Sequence, residues 1–268
     1  MLDCDGVLWK TDFMSSIPGI PDTINHIRNL GKRILFVTNN SRLSRETCAQ
    51  KLLLNHGIEP GDRKDIFCVC YSIAVYLKDV LKISGSVYTI GTEAMQSELT
   101  LQGITNFGTG LEIDKPTKNQ DELLNMFFRN DVEAVVVAFD EYFNFVKLYK
   151  AASYLCNPSC HFLVSTNRGT GVLLAPNRFQ PLTGPIVNAV SFASQREPVV
   201  IGKPSSHMFE TIQQLILTWT NQRFAKTCGI DSAFVLSGVD SLQTLQQRPN
   251  DTFVPDYYLQ SLNELNFT

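Results

Sequence analysis

The chain has little of what would mark it for a membrane, a nucleic acid or an oxidising compartment. No apolar run in its 268 residues approaches the roughly 20 residues that a spanning helix needs. Its first residues, Met1-Leu2-Asp3-Cys4-Asp5, place acids where a secretory leader carries basic and then apolar ones. Basic residues are not in excess. Lys and Arg number 23 against 26 Asp and Glu, a formal charge of -3, so an anionic ligand must be met by a local cluster and nucleic acid is not an expected partner. There are seven cysteines, an odd number without disulfide-framework spacing, which predicts reduced thiols and a cytoplasmic location. Cys68-x-Cys70 and Cys156-x-x-x-Cys160 each lack the second half of a zinc clip.

What is present is enough apolar material, 44% of residues, for two buried cores. Alternating strand and helix signals through about Leu81 predict a parallel sheet with helices on both faces. The theme then restarts. Strands are expected at Ser86–Gly91, Ala134–Phe139 and His161–Ser165, with helices at Glu93–Gln102 and Phe145–Cys156. The expected class is α/β: a Rossmann-like parallel-sheet core of residues 1–81 and 185–268, interrupted by an α/β insert at 82–184.

Three strand ends carry chemistry. In Asp3-Cys4-Asp5-Gly6 the acids are two apart, so in extended chain they share a side, while Cys4 points to the other. Gly6 lets the backbone turn away and leaves the carboxylates at the strand tip. A bare D-x-D-G is also an ordinary solvated turn. The second end is Ile34-Leu35-Phe36-Val37-Thr38-Asn39-Asn40-Ser41, an apolar strand closing in small polar residues, followed by a helix from about Arg45 to His56 whose positive end would favour an anion. The third is Val199-Val200-Ile201-Gly202-Lys203-Pro204, a strand with a lysine at its tip. Ligands of parallel sheets gather at such ends.

In this order, D-x-D-G-x-x-W, T-N-N-S and I-G-K-P resemble motifs one, two and three of the haloacid dehalogenase superfamily of phosphohydrolases. Trp9, Phe139-Asp140, Lys147-Leu148, Leu163-Val164-Ser165-Thr166-Asn167 and Val254-Pro255-Asp256 are similar to the 4-nitrophenylphosphatase-like branch, which includes phosphoglycolate and pyridoxal phosphate phosphatases. The resemblance implies hydrolysis of a small phosphorylated metabolite with magnesium. Asp3 would be the nucleophile and Asp5 the acid and base. The Asp3 carboxylate and the Asp5 carbonyl would hold the metal. Thr38, Asn39 and Lys203 would bind phosphate, and Asn167, a turn residue by composition, is the candidate substrate contact. The insert would be a C2-type cap that selects substrates and through which the chain forms a homodimer.

Two departures from the family pattern matter. Only Met1 and Leu2 precede Asp3, where the family has a longer apolar strand, so a short first strand is expected. The family also places G-D-x-x-x-T-D, whose acids complete the magnesium site, between the third motif and Cys228-Gly229-Ile230. Here Thr211 to Lys226 contains no Asp or Glu, and Asp231 and Asp240 already match other positions. Slow turnover is therefore expected. The alternative reading is a catalytically impaired relative that binds phosphate or dimerises; a receiver-type signalling domain would be about half this length and uncapped.

Overall fold

A computed structural model describes residues 1–10, 14–111, 113–117, 119–167, 169, 171–216, 233–236 and 257–264. The chain divides into two compact units, one of Met1–Thr38, Glu46–Phe67 and Gln213–Thr268, the other of Asn39–Arg45 and Cys68–Ile212.

The first unit contains β1 (Leu2–Asp3), α1 (Ile20–Asn29), β2 (Phe36–Thr38), α2 (Arg45–Gln50) and β3 (Ile66–Cys68), and its three strands form one sheet in the order β1-β2-β3. β1 is two residues long and pairs in parallel with β2, Leu2 opposite Phe36 and Asp3 opposite Val37. The expected helix from Arg45 to His56 starts on register, but beyond Gln50 it loosens into a π-helical turn, Lys51–Asn55. α1 buries Ile20, Ile24 and Ile27, spaced four and three residues apart as a single helical face requires.

In the second unit the chain runs through α3 (Val69–Val75), β4 (Ser86–Ile90), α4 (Glu93–Leu101), β5 (Asn106–Phe107), α5 (Gln120–Leu124), β6 (Val132–Val137), α6 (Phe145–Leu155), β7 (His161–Val164), β8 (Gly171–Ala175), β9 (Arg178–Pro181), α7 (Thr183–Ser194), β10 (Val199–Val200) and α8 (Ser206–Ile216). Five strands make a parallel sheet in the order β10-β7-β6-β4-β5. Its inner strands β4, β6 and β7 are largely buried and mostly apolar without alternation because both faces are covered. Val87, Ala134, Val136 and Leu163 pack with Met95 and Leu99 of α4 on one face. Tyr88, Val135, Val137 and Phe162 pack with Ala151 of α6 and Val187 of α7 on the other. Successive residues thus alternate between two cores, as the pleat dictates.

The expected strands and helices of this unit lie within two residues of their predicted bounds. The antiparallel hairpin β8-β9 and α7 are further elements. Two short strands, β11 (Ala233–Val235) and β12 (Tyr257–Leu259), pair in parallel in the first unit. The segment in which the sequence lacks the acidic motif lies largely outside the described residues, as do Cys228, Asp231 and Asp240. No helix of the described residues is long and apolar enough to cross a membrane.

Candidate active site

In the first unit the site is built on the end of β1. After Asp3 the chain folds back at once: Gly6 takes a φ of 82°, the Gly6 N–H donates to the Trp9 carbonyl at 2.7 Å, and the Leu8 N–H donates to the Cys4 carbonyl at 2.9 Å. A side chain would strain that φ, which is why glycine stands there. Leu8 and Trp9 are buried and fasten this turn to the core. Asp3 stays exposed, one carboxylate oxygen taking the Cys4 N–H at 2.8 Å. Cys4 faces the opposite way, fully buried. Its neighbour Cys48, and then burial, hold the Cys4 thiol well above the usual thiol range, which keeps it protonated.

Asp5 is held at both oxygens. Trp9 Nε1 donates to Oδ1 at 2.7 Å, and Thr38 Oγ1 donates to Oδ2 at 3.3 Å. Burial raises the Asp5 carboxyl above its ordinary range, and the Trp9 bond opposes that rise only in part. The indole is itself fixed. His56 stacks on it with ring centres 4.7 Å apart and planes 14° from parallel, and Lys51 Nζ lies 4.1 Å from the ring centre. Ser16 Oγ lies 2.9 Å from His56 Nδ1, and burial, with Lys51 next, lowers the imidazole pKa.

The second unit presents a row of strand ends. Beyond β10, Asn39 Nδ2 donates to the Lys203 carbonyl and the Lys203 N–H donates to Asn39 Oδ1, each at 2.8 Å. Beyond β6, the buried Lys147 Nζ donates to Asp140 Oδ2 at 2.6 Å. Residues 39–45 run along this row. Ser41 Oγ accepts the Phe139 N–H at 3.1 Å, the Ser41 carbonyl accepts the Thr92 hydroxyl at 3.0 Å, and Arg45 donates its N–H to Glu98 Oε1 at 2.7 Å. Asn167, past the end of β7, lines a cavity of about 430 Å³ with Val187, Asn188 and Phe192.

Asp3, Asp5 and Thr38 therefore lie together in the first unit, Asn39 and Lys203 together in the second, and Asn167 at a separate cavity of the second. The side chain of Asn39 is engaged with main chain, so any phosphate contact of this residue would come from its own backbone. Sequence reasoning read Trp9 as a family mark and did not identify it as the donor to Asp5. It gave no role to His56 or Lys51, because nothing in their spacing links them to the first strand.

A hard, oxygen-seeking cation suits what the Asp3-Cys4-Asp5 tip offers, an exposed carboxylate and a main-chain carbonyl. The Asp5 carboxyl is occupied by Trp9 and Thr38, so the carbonyl is the Asp5 group left for such an ion. Among the described residues no three His, Cys, Asp or Glu side chains converge as a metal cluster.

Residues 1–105 match the model of the haloacid dehalogenase-like hydrolases. Mouse glycerol-3-phosphate phosphatase is 33% identical over 293 aligned positions that take in 99% of this chain and 88% of the enzyme. Chloroplastic phosphoglycolate phosphatase 1A of Arabidopsis thaliana is 35% identical, with 98% of this chain and 75% of that protein covered. The p-nitrophenyl phosphatase of Archaeoglobus fulgidus superposes with a TM-score of 0.74 at 26% identity, covering 97% of this chain and 94% of the other. The 293 positions exceed the 268 residues of the chain, so the mouse enzyme carries at least 25 residues within the match that this chain lacks. Likeness over nearly the full length, together with paired acids on a first-strand tip, makes the chain a member of the haloacid dehalogenase-like hydrolases, among the phosphatases of the 4-nitrophenylphosphatase branch.

Proposed function

We propose that this chain hydrolyses small phosphomonoesters through an aspartyl-phosphate intermediate and requires magnesium. The observation that carries the reading is the contrast between two acids two residues apart: Asp3 is exposed, whereas Asp5 is held between an indole and a hydroxyl in surroundings that favour its protonated form. One suits a nucleophile and the other a proton donor.

Asp3 attacks phosphorus, and an Asp3 oxygen–phosphorus bond forms as the ester bond breaks. The leaving alkoxide takes the Asp5 proton and departs as an alcohol. Asp5, now ionised, removes a proton from the water that attacks the phosphorus, which releases phosphate and returns both acids to their starting states. Thr38 and Lys203 offset the charge on the phosphoryl oxygens, and Asn39 fixes the Lys203 backbone. Asp3 and the Asp5 carbonyl would hold magnesium, which when bound screens the phosphate charge that would repel Asp3. Residues 82–184 supply substrate selection as a cap, and the relatives named for glycerol 3-phosphate and phosphoglycolate favour an ester of two or three carbons.

The test measures release of phosphate from p-nitrophenyl phosphate and glycerol 3-phosphate with magnesium, with excess chelator, and in Asp3→Asn. Loss of activity in the last two conditions is expected, since a carboxamide is no nucleophile. Full activity in either overturns the reading. Phosphate binding without turnover in the unaltered chain would replace it with that of a non-catalytic relative.

A further inference from the structure

The surroundings of Trp9 are more constrained than a core tryptophan needs. Its ring has an imidazole stacked on it and an ammonium against it, and its one polar atom is directed at Asp5 Oδ1. An indole N–H donates and never accepts, so Oδ1 is kept as an acceptor, whereas the Thr38 hydroxyl that donates to the ionised Oδ2 can turn and accept, so the exchangeable proton falls to Oδ2. Stacking on His56, which is tied to Ser16, fixes the ring plane and with it the direction of the N–H. The neighbouring lysine favours the electron-rich ring and polarises its N–H outward.

We propose that Trp9 is a positioning residue for proton transfer, holding Asp5 Oδ1 so that Oδ2 delivers the proton to the leaving oxygen, and that His56 and Lys51 hold Trp9 in turn. This rests on the proposed role of Asp5 and deepens it. The step moves one proton, from Asp5 Oδ2 to the ester oxygen as the phosphorus–oxygen bond breaks. Consequences depend on the leaving group. Nitrophenolate departs without help, whereas an alkoxide such as that of glycerol requires the proton.

The experiment compares kcat/KM for glycerol 3-phosphate and p-nitrophenyl phosphate, in magnesium buffer, for the unaltered protein, Trp9→Phe, His56→Ala and Asp5→Asn. A general acid contributes about 10²- to 10⁴-fold. Trp9→Phe is expected to lower the glycerol 3-phosphate value at least about tenfold more than the nitrophenyl value, with His56→Ala in the same direction and smaller. Equal losses on both esters in Trp9→Phe and His56→Ala, with a selective loss in Asp5→Asn, overturn the positioning role while leaving Asp5 as the acid. Equal losses in Asp5→Asn overturn the underlying reading. A second measurement needs neither turnover nor a folded Trp9 variant. In ¹⁵N-labelled protein, Asp5→Asn should move one of the two indole N–H resonances and leave the other in place. No movement of either signal refutes the bond.

Discussion

Asn39 offers both ends of its side-chain amide to the main chain of Lys203, donating to the carbonyl and accepting from the N–H, each at 2.8 Å. The lysine at the end of β10 is thereby set by a residue that stands next to Thr38 in sequence. Replacing Asn39 by Ala removes both bonds, each worth about 0.5–1.5 kcal/mol. On the proposed role of Lys203, inorganic phosphate should then inhibit roughly tenfold more weakly, and Asn39→Asp, which retains only the acceptor, should fall between. Competitive inhibition constants decide it.

Gly202 stands where no side chain fits. A Cβ there would lie 2.3 Å from the Ser165 carbonyl oxygen and 2.7 Å from Asn39 Oδ1. Gly202→Ala should cost about 1–3 kcal/mol, and calorimetry should show a lower Tm together with weaker phosphate inhibition. An unchanged Tm would mean that the strand tip yields freely.

Lys147 and Asp140 form an ion pair with both side chains out of water. Removing one charge strands the other, so Lys147→Met or Asp140→Leu alone should destabilise by about 3–5 kcal/mol. The double substitution should recover most of that loss, because no uncompensated charge then remains buried. Urea midpoints for the four proteins make the cycle.

His56 titrates below an ordinary histidine in the fold, through burial and the nearby Lys51. The unfolded chain takes up this proton near pH 6.5 and the folded chain only at lower pH. Stability from this group is therefore present above about pH 6.5 and declines as pH falls beneath it. His56→Gln should flatten that decline, read as the change in urea midpoint between pH 7.5 and 5.5.

Insertion of a family-like G-D-x-x-x-T-D segment between Leu215 and Phe224 should raise kcat and strengthen the dependence on magnesium. Extra carboxylates hold an ion that gives up its waters reluctantly. Turnover that is unchanged, with the same magnesium requirement, would show that another acid already completes the site.

Much of this was legible in the chain. Buried strand residues such as Val135 and Val136 were readable because full burial writes an unbroken apolar run, and the motif tips because small polar residues end such runs abruptly. The helix expected from Arg45 to His56 spans those residues, but its π-helical winding at Lys51–Asn55 was not legible, since propensity does not record a local change of winding. The amide clamp of Asn39 was illegible, because its partner is main chain and main chain leaves no mark in a sequence. Trp9 was noticed and its work was not: hydrogen-bond direction is set by how a turn folds, here at Gly6.

Residues 39–45 share a unit with 68–212 although 46–67 separate them along the chain. Their hold is specific at Ser41, which meets Phe139 and Thr92, and at Arg45, which meets Glu98 through N–H and guanidinium and lies 3.5 Å over Tyr71. Asn39 is more tolerant, since any residue presents the backbone it grips. Breakpoints for recombination follow from this difference. A chimera that imports 68–212 from a relative while retaining the native 39–45 keeps the clamp but risks mismatched partners for Ser41 and Arg45. One that imports both pieces together carries a complete set across.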